Sequence, residues 1–213
     1  MIFEGHNVGP QLYKGGKRLI TIDNVNVYGL ENSFRVSKFP KQVDVAKCTQ
    51  DMTQTIATLA SADNGSGHDN FLKGIVVQFD VTFTIKAWTE AERYHWFDIV
   101  SSQSTMHKIA AMDYDKCFCE YVTDNTKNEM ERLKAIYNED NTAENYLKLL
   151  YNCPVGMQLT AGITTNYLQL KTIYKQRFTH RLPEWREFCK FIEELPQFAE
   201  LVLKLNGGGD NEA

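Results

Sequence analysis

The residues best suited to chemistry by type and spacing lie between Cys153 and Arg186. Asn166 and Arg177 are eleven residues apart, so a helix through both returns them to within about 20° of each other, roughly 16 Å apart along the axis. An amide and a guanidinium on one stripe, with the apolar Leu170 between them, suit a long polar ligand lying along the helix. This stretch therefore predicts a helix that carries chemistry.

The second half of the chain, which must position these groups, is predicted to be mainly helical. The helix that carries Arg177 begins after Thr164-Thr165-Asn166, which offer a choice of N-caps. Further helices are predicted to begin near Asn125, Thr142, Pro183 and Phe198. Pro196 separates the last two of them.

The first half of the chain contains the strand signals. Residues 18–30 and 74–88 alternate apolar or β-branched residues with polar ones, which is typical of strands, and Asp23-Asn24 marks a turn in the first. The apolar spacing over 43–60 predicts a helix. A polar, glycine-containing loop follows over 61–70.

A capping box and the overall pattern complete the predicted fold. In Thr89-Glu90-Ala91-Glu92 the spacing lets the threonine and the last glutamate cap a helix reciprocally, so a helix is predicted from Thr89 to Gln103. The fold class is α+β: a small antiparallel sheet packed with a mainly helical second half, in one domain over residues 1–206. Residues 1–17 are expected to form an N-terminal arm or short edge strand, and 207–213 a disordered tail.

The composition limits the class of protein. The chain has 213 residues, 43% hydrophobic and 23% charged, which is enough to bury a core. A net charge of −4 argues against a protein that coats nucleic acid but permits a small anionic ligand. The sequence has no membrane span, signal peptide or metal-ligand spacing. Five scattered cysteines predict free thiols in a reducing cytoplasm.

Two further segments combine with the Asn166 region. Residues 67–74 read G-H-D-N-F-L-K-G and lead into the aromatic strand, and the glycines let the backbone approach a ligand closely. Arg93 precedes a serine pair, Ser101-Ser102, in a segment rich in hydroxyl groups. Twelve residues separate Pro154 from Asn166.

These three places resemble the flavin-dependent thymidylate synthases (ThyX). The loop is similar to the family's G-H-x-S/T-x-x-E-H motif. Arg93 and the serine pair match the arginine before the R-H-R-x-x-S motif and that motif's serine. The two spacings around Asn166 match the family's pattern of a proline, a helix that opens with T-x-N, and an arginine that meets the pyrimidine. The resemblance covers roughly residues 65–190.

The resemblance implies a homotetrameric, cytoplasmic enzyme that reductively methylates deoxyuridylate, using FAD, NADPH and methylene-tetrahydrofolate. It implies Arg177 as the catalytic residue, which would hydrogen-bond the uracil edge and stabilise charge on the pyrimidine. It implies flavin contacts at His68, Asn70, Asn166 and Thr172. It implies substrate contacts at Arg93, Tyr94, Ser102, Gln103, Ser104 and Arg177.

The chain departs from the family at several of these positions. Read without gaps, the R-H-R triplet falls on Phe97-Asp98-Ile99, so cations that would hold flavin and nucleotide phosphate are missing. Family arginines are replaced by Leu168 and Leu150, and the loop's Glu-His pair by Lys73-Gly74. The hydroxyl groups, amide and imidazole of residues 101–107 offer a substitute phosphate cradle.

Each candidate residue also has a plain structural explanation. Asn166 after two threonines is explained equally well as an N-cap. Arg177 fits a surface arginine, although its shared stripe with Asn166 favours a ligand contact. His68 fits a solvated loop histidine, and Arg93 a cation on a helix surface.

The sequence leaves three functions open. The leading hypothesis is a flavin-dependent enzyme of pyrimidine nucleotide metabolism, which methylates deoxyuridylate or carries out a related C5 modification. The second is a non-enzymatic descendant of the same fold that binds a nucleotide or a protein, which the missing triplet favours. The third is a helical structural protein whose likeness to the family is coincidental.

Overall fold

An antiparallel sheet of five strands lies at the centre of the molecule. Its strands are β1 (His6–Val8), β2 (Thr21–Tyr28), β3 (Val76–Thr84), β4 (Asp98–Ser102) and β5 (Gln158–Asn166). The spatial order is β1-β2-β3-β5-β4, so β3 and β5 are central and β4 lies at an edge. The structure is a computed structural model that describes residues 6–8, for the backbone, and 19–203. The rest of the predicted arm and the tail at 207–213 lie outside the described residues.

Helices connect and cover the strands. They are α1 (Leu30–Ser37), α2 (Gln54–Ser61), α3 (Ile85–Ala91), α4 (Thr105–Lys108), α5 (Tyr114–Cys117), α6 (Asp124–Glu139), α7 (Ala143–Tyr151), α8 (Tyr167–Arg177) and α9 (Pro183–Glu193). Single 3-10 turns occur at Phe39–Lys41, Val45–Lys47, Asn70–Gly74 and Ile109–Ala111, and a short π-helix at Ala199–Leu203. This architecture confirms the predicted α+β fold class.

The main core lies between one face of the sheet and helices α8 and α9. Side chains along β3 alternate, so that Phe79 and Phe83 are buried on this face. Their rings meet Phe188 of α9 at centroid distances of 5.8 and 5.6 Å, and Phe83 also packs on Trp185 at 5.2 Å. Aromatic pairs at these separations add to the apolar burial that holds α9 on the sheet.

A second, smaller cluster holds helices α5 to α7 together. Its buried members include Tyr114, Phe118, Met130, Leu133 and Leu149. Tyr114 and Phe118 stack at 4.9 Å, and the Tyr114 hydroxyl donates to the carbonyl of Ile109 at 2.9 Å. Helices α5 to α7 therefore have their own core, separate from the core between the sheet and helices α8 and α9.

The helix predicted from Thr89 to Gln103 is wrong at both ends. Thr84 caps α3 by accepting the N–H of Ala87 at 3.1 Å, so the cap lies five residues earlier than predicted. Thr89 lies inside α3 and donates to the carbonyl of Lys86 at 2.8 Å. The helix ends at Ala91, and residues 98–102 pair with β5 as an edge strand. Sheet pairing outweighs the local capping signal here.

Strand β5 is absent from the sequence prediction. Ala161, Ile163 and Thr165 point into the core, whereas Gly162 and Thr164 on the other face are half-buried. Small or hydroxyl-bearing residues, glycine and threonine, occupy the second face of β5. The two faces of the strand therefore differ little in hydrophobicity, and the sequence shows no clear strand pattern. The strand pairs with β3 along its whole length, from Val76 opposite Asn166 to Thr84 opposite Gln158.

Other predictions differ from the structure mainly in length. The helix predicted over 43–60 is the shorter α2, preceded by a 3-10 turn, and the strand predicted over 74–88 ends at Thr84. The helix predicted near Phe198 is the short π-helix. The turn predicted at Asp23-Asn24 is wrong, because β2 runs unbroken from Thr21 to Tyr28 with only a register shift between Asp23 and Asn26.

Several helix starts are confirmed. Thr142 caps α7, accepting the N–H of Asn145 at 3.3 Å, and Pro183 lies in the first turn of α9. The helix that carries Arg177 begins at Tyr167, directly after Asn166. The helix predicted near Asn125 begins slightly earlier, with Thr123 as its cap.

Candidate functional site

Helix α8 begins at the end of the central strand β5, and Asn166 forms the junction. Its backbone is extended (φ −141°, ψ 165°), and its Oδ1 accepts the N–H of Gln169 at 3.0 Å. Asn166 is therefore the N-cap of α8. Because it lies outside the helical repeat, its oxygen does not share a helical stripe with Arg177 as the sequence suggested.

A buried ion pair ties the first half of α8 to the loop before β3. The Lys171 ammonium donates to Asp69 Oδ2 at 2.7 Å, to the carbonyl of Ala60 at 2.7 Å, and to the carbonyl of Ala62. The two charged side chains are 0% and 1% exposed. An ammonium has three protons, so all of its donors are used within the protein. This pair holds the loop that carries His68 against α8.

Two of the predicted flavin contacts lie on this loop and a third faces it. The side chains of His68 and Asn70 are exposed and make no hydrogen bond with a described residue. Thr172 of α8 accepts from Asn64 Nδ2 at 3.0 Å. Gly67 has φ +84°, a conformation that favours glycine and that turns the backbone next to His68. The structure thus brings His68, Asn70 and Thr172 to one side of α8.

His68 borders a cavity of about 580 Å³ between α1, α2 and the loop. Lys38, Lys41 and Asp51 also line it, together with hydroxyl groups and the apolar side chains of α2. Lys38 is held inside the wall, since its ammonium donates to Thr49 Oγ1 at 2.7 Å and to Asp51 Oδ1 at 3.3 Å. The volume lies in the range of small-molecule sites.

Arg177, in the last turn of α8, is buried in a hydrogen-bonded network. Its Nε donates to the Tyr94 hydroxyl at 2.6 Å, and its Nη1 donates to Glu90 Oε2 at 2.9 Å. The same Nη1 lies 2.7 Å from His180 Nε2. The guanidinium carbon lies 5.4 Å from the Tyr94 ring centre and 4.9 Å from that of Trp185. Arg177 is therefore not a simple surface arginine.

The network shifts the titration of its members. Burial alone would raise the pKa of Glu90, but hydrogen bonding by Lys86 and the charges of Lys86, His180 and Arg177 lower it overall. Burial and the positive charge of Arg177 lower the pKa of His180. Burial raises the pKa of Tyr94. Near neutral pH Glu90 is thus a carboxylate, Tyr94 a neutral phenol and His180 a neutral imidazole.

The predicted substrate residues Arg93 and Tyr94 have opposite environments. Arg93 is exposed and makes no hydrogen bond or ion pair with a described residue. Tyr94 is buried, accepts from Arg177, and donates to Gln176 Oε1 at 3.1 Å. The structure brings Tyr94 and Arg177, two of the predicted substrate contacts, into direct contact.

The residues at the R-H-R positions lie beside the start of α8. The N–H of Trp96 donates to Gln169 Oε1 at 3.4 Å, and Asp98 pairs with Thr164 across β4 and β5. Phe97 points into the core, 6.1 Å from the ring of Phe79, so it presents no group to a ligand. Phe97, Asp98 and Ile99 therefore supply none of the family's cations.

The hydroxyl-rich segment lies at the other end of β5. Gln103 Oε1 accepts the N–H of Thr160 at 2.9 Å, and Ser104 lies 3.0 Å from the ring nitrogen of His107. Ser102 and Gln103 line a second cavity of about 290 Å³ with Thr105 and Glu92. The sheet register puts this segment at the end of β5 opposite to Asn166. It is thus apart from His68 and Asn70.

Some residues of the site were not identified from the sequence. Glu90 was interpreted only as part of a capping box, and Asp69 and Lys171 had no assigned role. His180 is a further member, and its ring is half-buried beside Arg177 and Glu90. The sequence marks each of these positions only as a single titratable side chain, which does not identify its partner.

Residues 6–8 and 19–203, which the structure describes, contain neither a cluster of metal ligands nor a membrane-spanning helix. Within these residues no group of three or more His, Cys, Asp or Glu side chains is placed to hold a metal ion. No helix in the same part of the chain is long and apolar enough to cross a membrane.

Solved structures with a similar fold include flavin-dependent thymidylate synthases and a UMP/dUMP methylase. ThyX from Helicobacter pylori, complexed with FAD and dUMP, matches with a TM-score of 0.66 and 12% identity over 84% of this chain and 95% of that one. A second Helicobacter pylori ThyX structure with FAD and dUMP gives 0.66 and 13%, over 86% and 96%. The UMP/dUMP methylase PolB from Streptomyces cacaoi, bound with 5-Br dUMP, gives 0.58 and 14%, over 86% and 91%.

Comparison at the sequence level finds no relative. No protein-family model matches the chain, and no curated protein matches it significantly. The three-dimensional match nevertheless confirms the predicted ThyX-like fold, and the hypothesis of a coincidental likeness is wrong. The chain is a highly divergent example of this fold.

Proposed function

On this ThyX-like fold, we propose that the protein binds a deoxyuridylate-like pyrimidine nucleotide and FAD, and modifies the nucleotide at C5 by reductive methylation or a related reaction. The observation that supports it is the fold match to three nucleotide complexes, which spans at least 84% of this chain. Two of those complexes also contain FAD.

Arg177 supports the nucleotide part of the proposal. Its Nε and Nη1 are held by Tyr94 and Glu90, whereas its Nη2 has no hydrogen-bond partner among the described residues. A guanidinium held in this way is ready to donate to an oxygen on the edge of a pyrimidine, with little loss of entropy on binding. Tyr94 lies next to it and would line the same base pocket.

The loop side of the site fits a flavin. The cavity of about 580 Å³ beside His68 has room for part of a dinucleotide, and its wall carries the exposed cation Lys41 and several hydroxyl groups. His68 and Asn70 would contact the cofactor from the loop, with Thr172 and the free amide nitrogen of Asn166 from α8. Lys41 would replace part of the positive charge missing from Phe97-Asp98-Ile99.

The remaining chemistry would come from the cofactor and co-substrates. Bound FAD would supply two electrons obtained from NADPH, and methylene-tetrahydrofolate would supply the carbon. The chain's residues would then act by position and charge: Arg177 and Tyr94 on the base, and Ser102, Gln103, Ser104 and Arg93 toward the nucleotide phosphate. Ser102 and Gln103 lie far along β5 from Asn166, so we propose that they serve the site of a neighbouring subunit.

An exposed apolar surface near β4 supports this homo-oligomer, a tetramer by resemblance. Trp96, Ile99, Val100 and Met106 are between 46% and 71% exposed. Exposed apolar residues clustered on an edge strand are typical of interaction sites. The five free cysteines are consistent with a reducing, cytoplasmic location.

The alternative function is a non-enzymatic protein of the same fold that binds a nucleotide or a protein partner. The position of Phe97 supports it, because a core side chain replaces a cation that would hold phosphate. Asp98 adds an exposed negative charge next to it.

The absorption spectrum of the purified protein, before and after addition of FAD, separates the two functions. We expect flavin bands that remain after gel filtration and that weaken in His68→Ala. His95→Ala replaces another exposed histidine, to which no ligand contact is assigned, and is the matched control. Incubation with dUMP, NADPH and methylene-tetrahydrofolate should then yield a nucleotide heavier by one CH₂ unit in mass spectrometry. A protein that takes up no FAD but binds dUMP would support the non-enzymatic alternative.

A further inference from the structure

Glu90 lies at the centre of the Arg177 network and contacts three basic side chains. Its Oε1 accepts from Lys86 Nζ at 3.0 Å, and its Oε2 accepts from Arg177 Nη1 at 2.9 Å. His180 Nε2 lies 3.4 Å from the same Oε2. The Glu90 side chain is only 10% exposed, so water competes little for these contacts. A buried carboxylate paired in this way fixes where its partners lie.

The guanidinium of Arg177 is restrained on two of its three nitrogens. Glu90 holds Nη1, the Tyr94 hydroxyl holds Nε, and the rings of Tyr94 and Trp185 cover the plane. Among the described residues, the enclosed side-chain polar atoms that lack a partner are Thr165 Oγ1 and Trp185 Nε1. Nη2 of Arg177 also lacks a partner but is not one of these enclosed atoms, so it retains contact with solvent. One donor group is therefore left facing outward.

The contact between Glu90 and Arg177 is not needed to balance the charge of Glu90. Lys86 neutralises Glu90 through Oε1 and is half exposed, so the carboxylate would have a partner without Arg177. Glu90 Oε2 nevertheless accepts a hydrogen bond from Nη1 of Arg177 in α8, which is 87 residues away in the sequence. The contact joins the last turn of α3 to the last turn of α8.

We propose that Glu90 is a positioning residue that orients Arg177 toward the bound pyrimidine nucleotide. The inference rests on the proposed function, because it assigns Nη2 of Arg177 to the nucleotide. Glu90 itself does not touch the ligand. Glu90 occupies Nη1 of Arg177, so that the guanidinium presents a single, fixed donor group, Nη2, to the ligand.

The test is calorimetric titration of dUMP into the full-length protein and its Glu90→Gln variant. The amide keeps the size of the side chain but removes its charge, so we expect the affinity for dUMP to fall about tenfold, as for one lost charge-assisted hydrogen bond. Glu184→Gln is the matched control, because Glu184 is also buried but bonds Thr84, at 2.8 Å, rather than Arg177. It should bind dUMP as the unmodified protein does.

A double-mutant cycle distinguishes positioning from a general structural effect. In an Arg177→Lys background, Glu90→Gln should cause no further loss of dUMP affinity, even where it lowers the melting temperature. Glu90→Asp restores the charge and should recover part of the affinity. It also provides a test if Glu90→Gln does not fold.

The outcomes separate the inference from the proposed function. If the unmodified protein binds dUMP through Arg177 and Glu90→Gln binds it equally well, the positioning role is wrong and the function stands. If Glu90→Gln weakens binding equally with and without Arg177, the effect is structural and the inference is again wrong. If the unmodified protein does not bind dUMP, both are overturned.

Discussion

The two halves of helix α8 each contain a buried ion pair, and the two pairs are built differently. Lys171 gives its three protons to Asp69 and two backbone carbonyls, and both charged side chains are fully enclosed. Arg177 is paired with Glu90, but both side chains keep 10% exposure and one nitrogen of the guanidinium remains unbonded. A cation whose donors are all used serves the fold. A cation with a donor left at the surface is available to a ligand.

This difference also explains how the site is held. The Lys171–Asp69 pair fixes the loop that carries His68, and the Arg177–Glu90 pair fixes the end of α8 against α3. The two proposed ligand-binding regions are therefore attached to the two halves of one helix. That helix is anchored to the central strand by the cap at Asn166.

The largest expected effect is the loss of stability in Lys171→Met. The substitution leaves Asp69 as an unpaired buried charge, which costs about 3–5 kcal/mol of free energy of unfolding. Urea denaturation measures it, with Lys175→Met as the control, because Lys175 is exposed on the same helix. The double variant Lys171→Met with Asp69→Asn should recover much of the loss. A cost as small as that of Lys175→Met would show that the first pair is not structural.

A smaller effect is expected for Asn166→Ala. The variant removes the N-cap of α8, which costs about 1 kcal/mol, and Asn166→Asp should restore the cap. Urea denaturation and FAD binding should be measured on both variants. If Asn166→Ala loses FAD with no change in the free energy of unfolding, then the side chain binds the ligand and does not act mainly as a cap.

The smallest effect is a pH dependence from His180. Burial of its ring and the positive charge of Arg177 lower its pKa below the usual 6.5. Its Nδ1 accepts the N–H of Leu182 at 3.2 Å. The unfolded chain then binds more protons between the lowered pKa and 6.5. The contribution to stability is therefore present above pH 6.5 and is lost as the pH falls through the lowered pKa.

Denaturation curves across this pH range test the assignment. In His180→Asn the free energy of unfolding should lose part of its rise with pH. His107→Asn, which replaces an exposed histidine outside the network, should keep it. An unchanged rise in His180→Asn would contradict the neutral imidazole beside Arg177.

The sequence predicted those parts of the fold that local patterns determine. The position of α8 and its cap follow from Thr164-Thr165-Asn166, and β3 follows from its alternation. The capping box at Thr89 predicted the wrong start of α3, because Thr84, at the end of a buried strand, already caps this helix. Strand β4 is held by pairing with β5, a non-local interaction that five exposed residues do not reveal on their own.

The site was only partly predictable for a similar reason. Arg177 was identified by its spacing from Asn166, but its partner Glu90 lies 87 residues away and had a sufficient local explanation. Lys171 lies on a helix with little amphipathic contrast, so nothing local marked it as buried. Phe97 could be placed at the triplet position, whereas its inward orientation depends on the turn between α3 and β4.

The most direct test of the account is calorimetric titration of dUMP into the unmodified protein and into Arg177→Lys. Lysine keeps a positive charge beside Glu90 but lacks the planar fork, so the fold should persist while the outward donor is lost. We predict measurable binding to the unmodified protein and binding at least about tenfold weaker to Arg177→Lys. Equal affinities in two folded proteins, or no binding in either, would contradict the claim that this end of α8 faces a nucleotide.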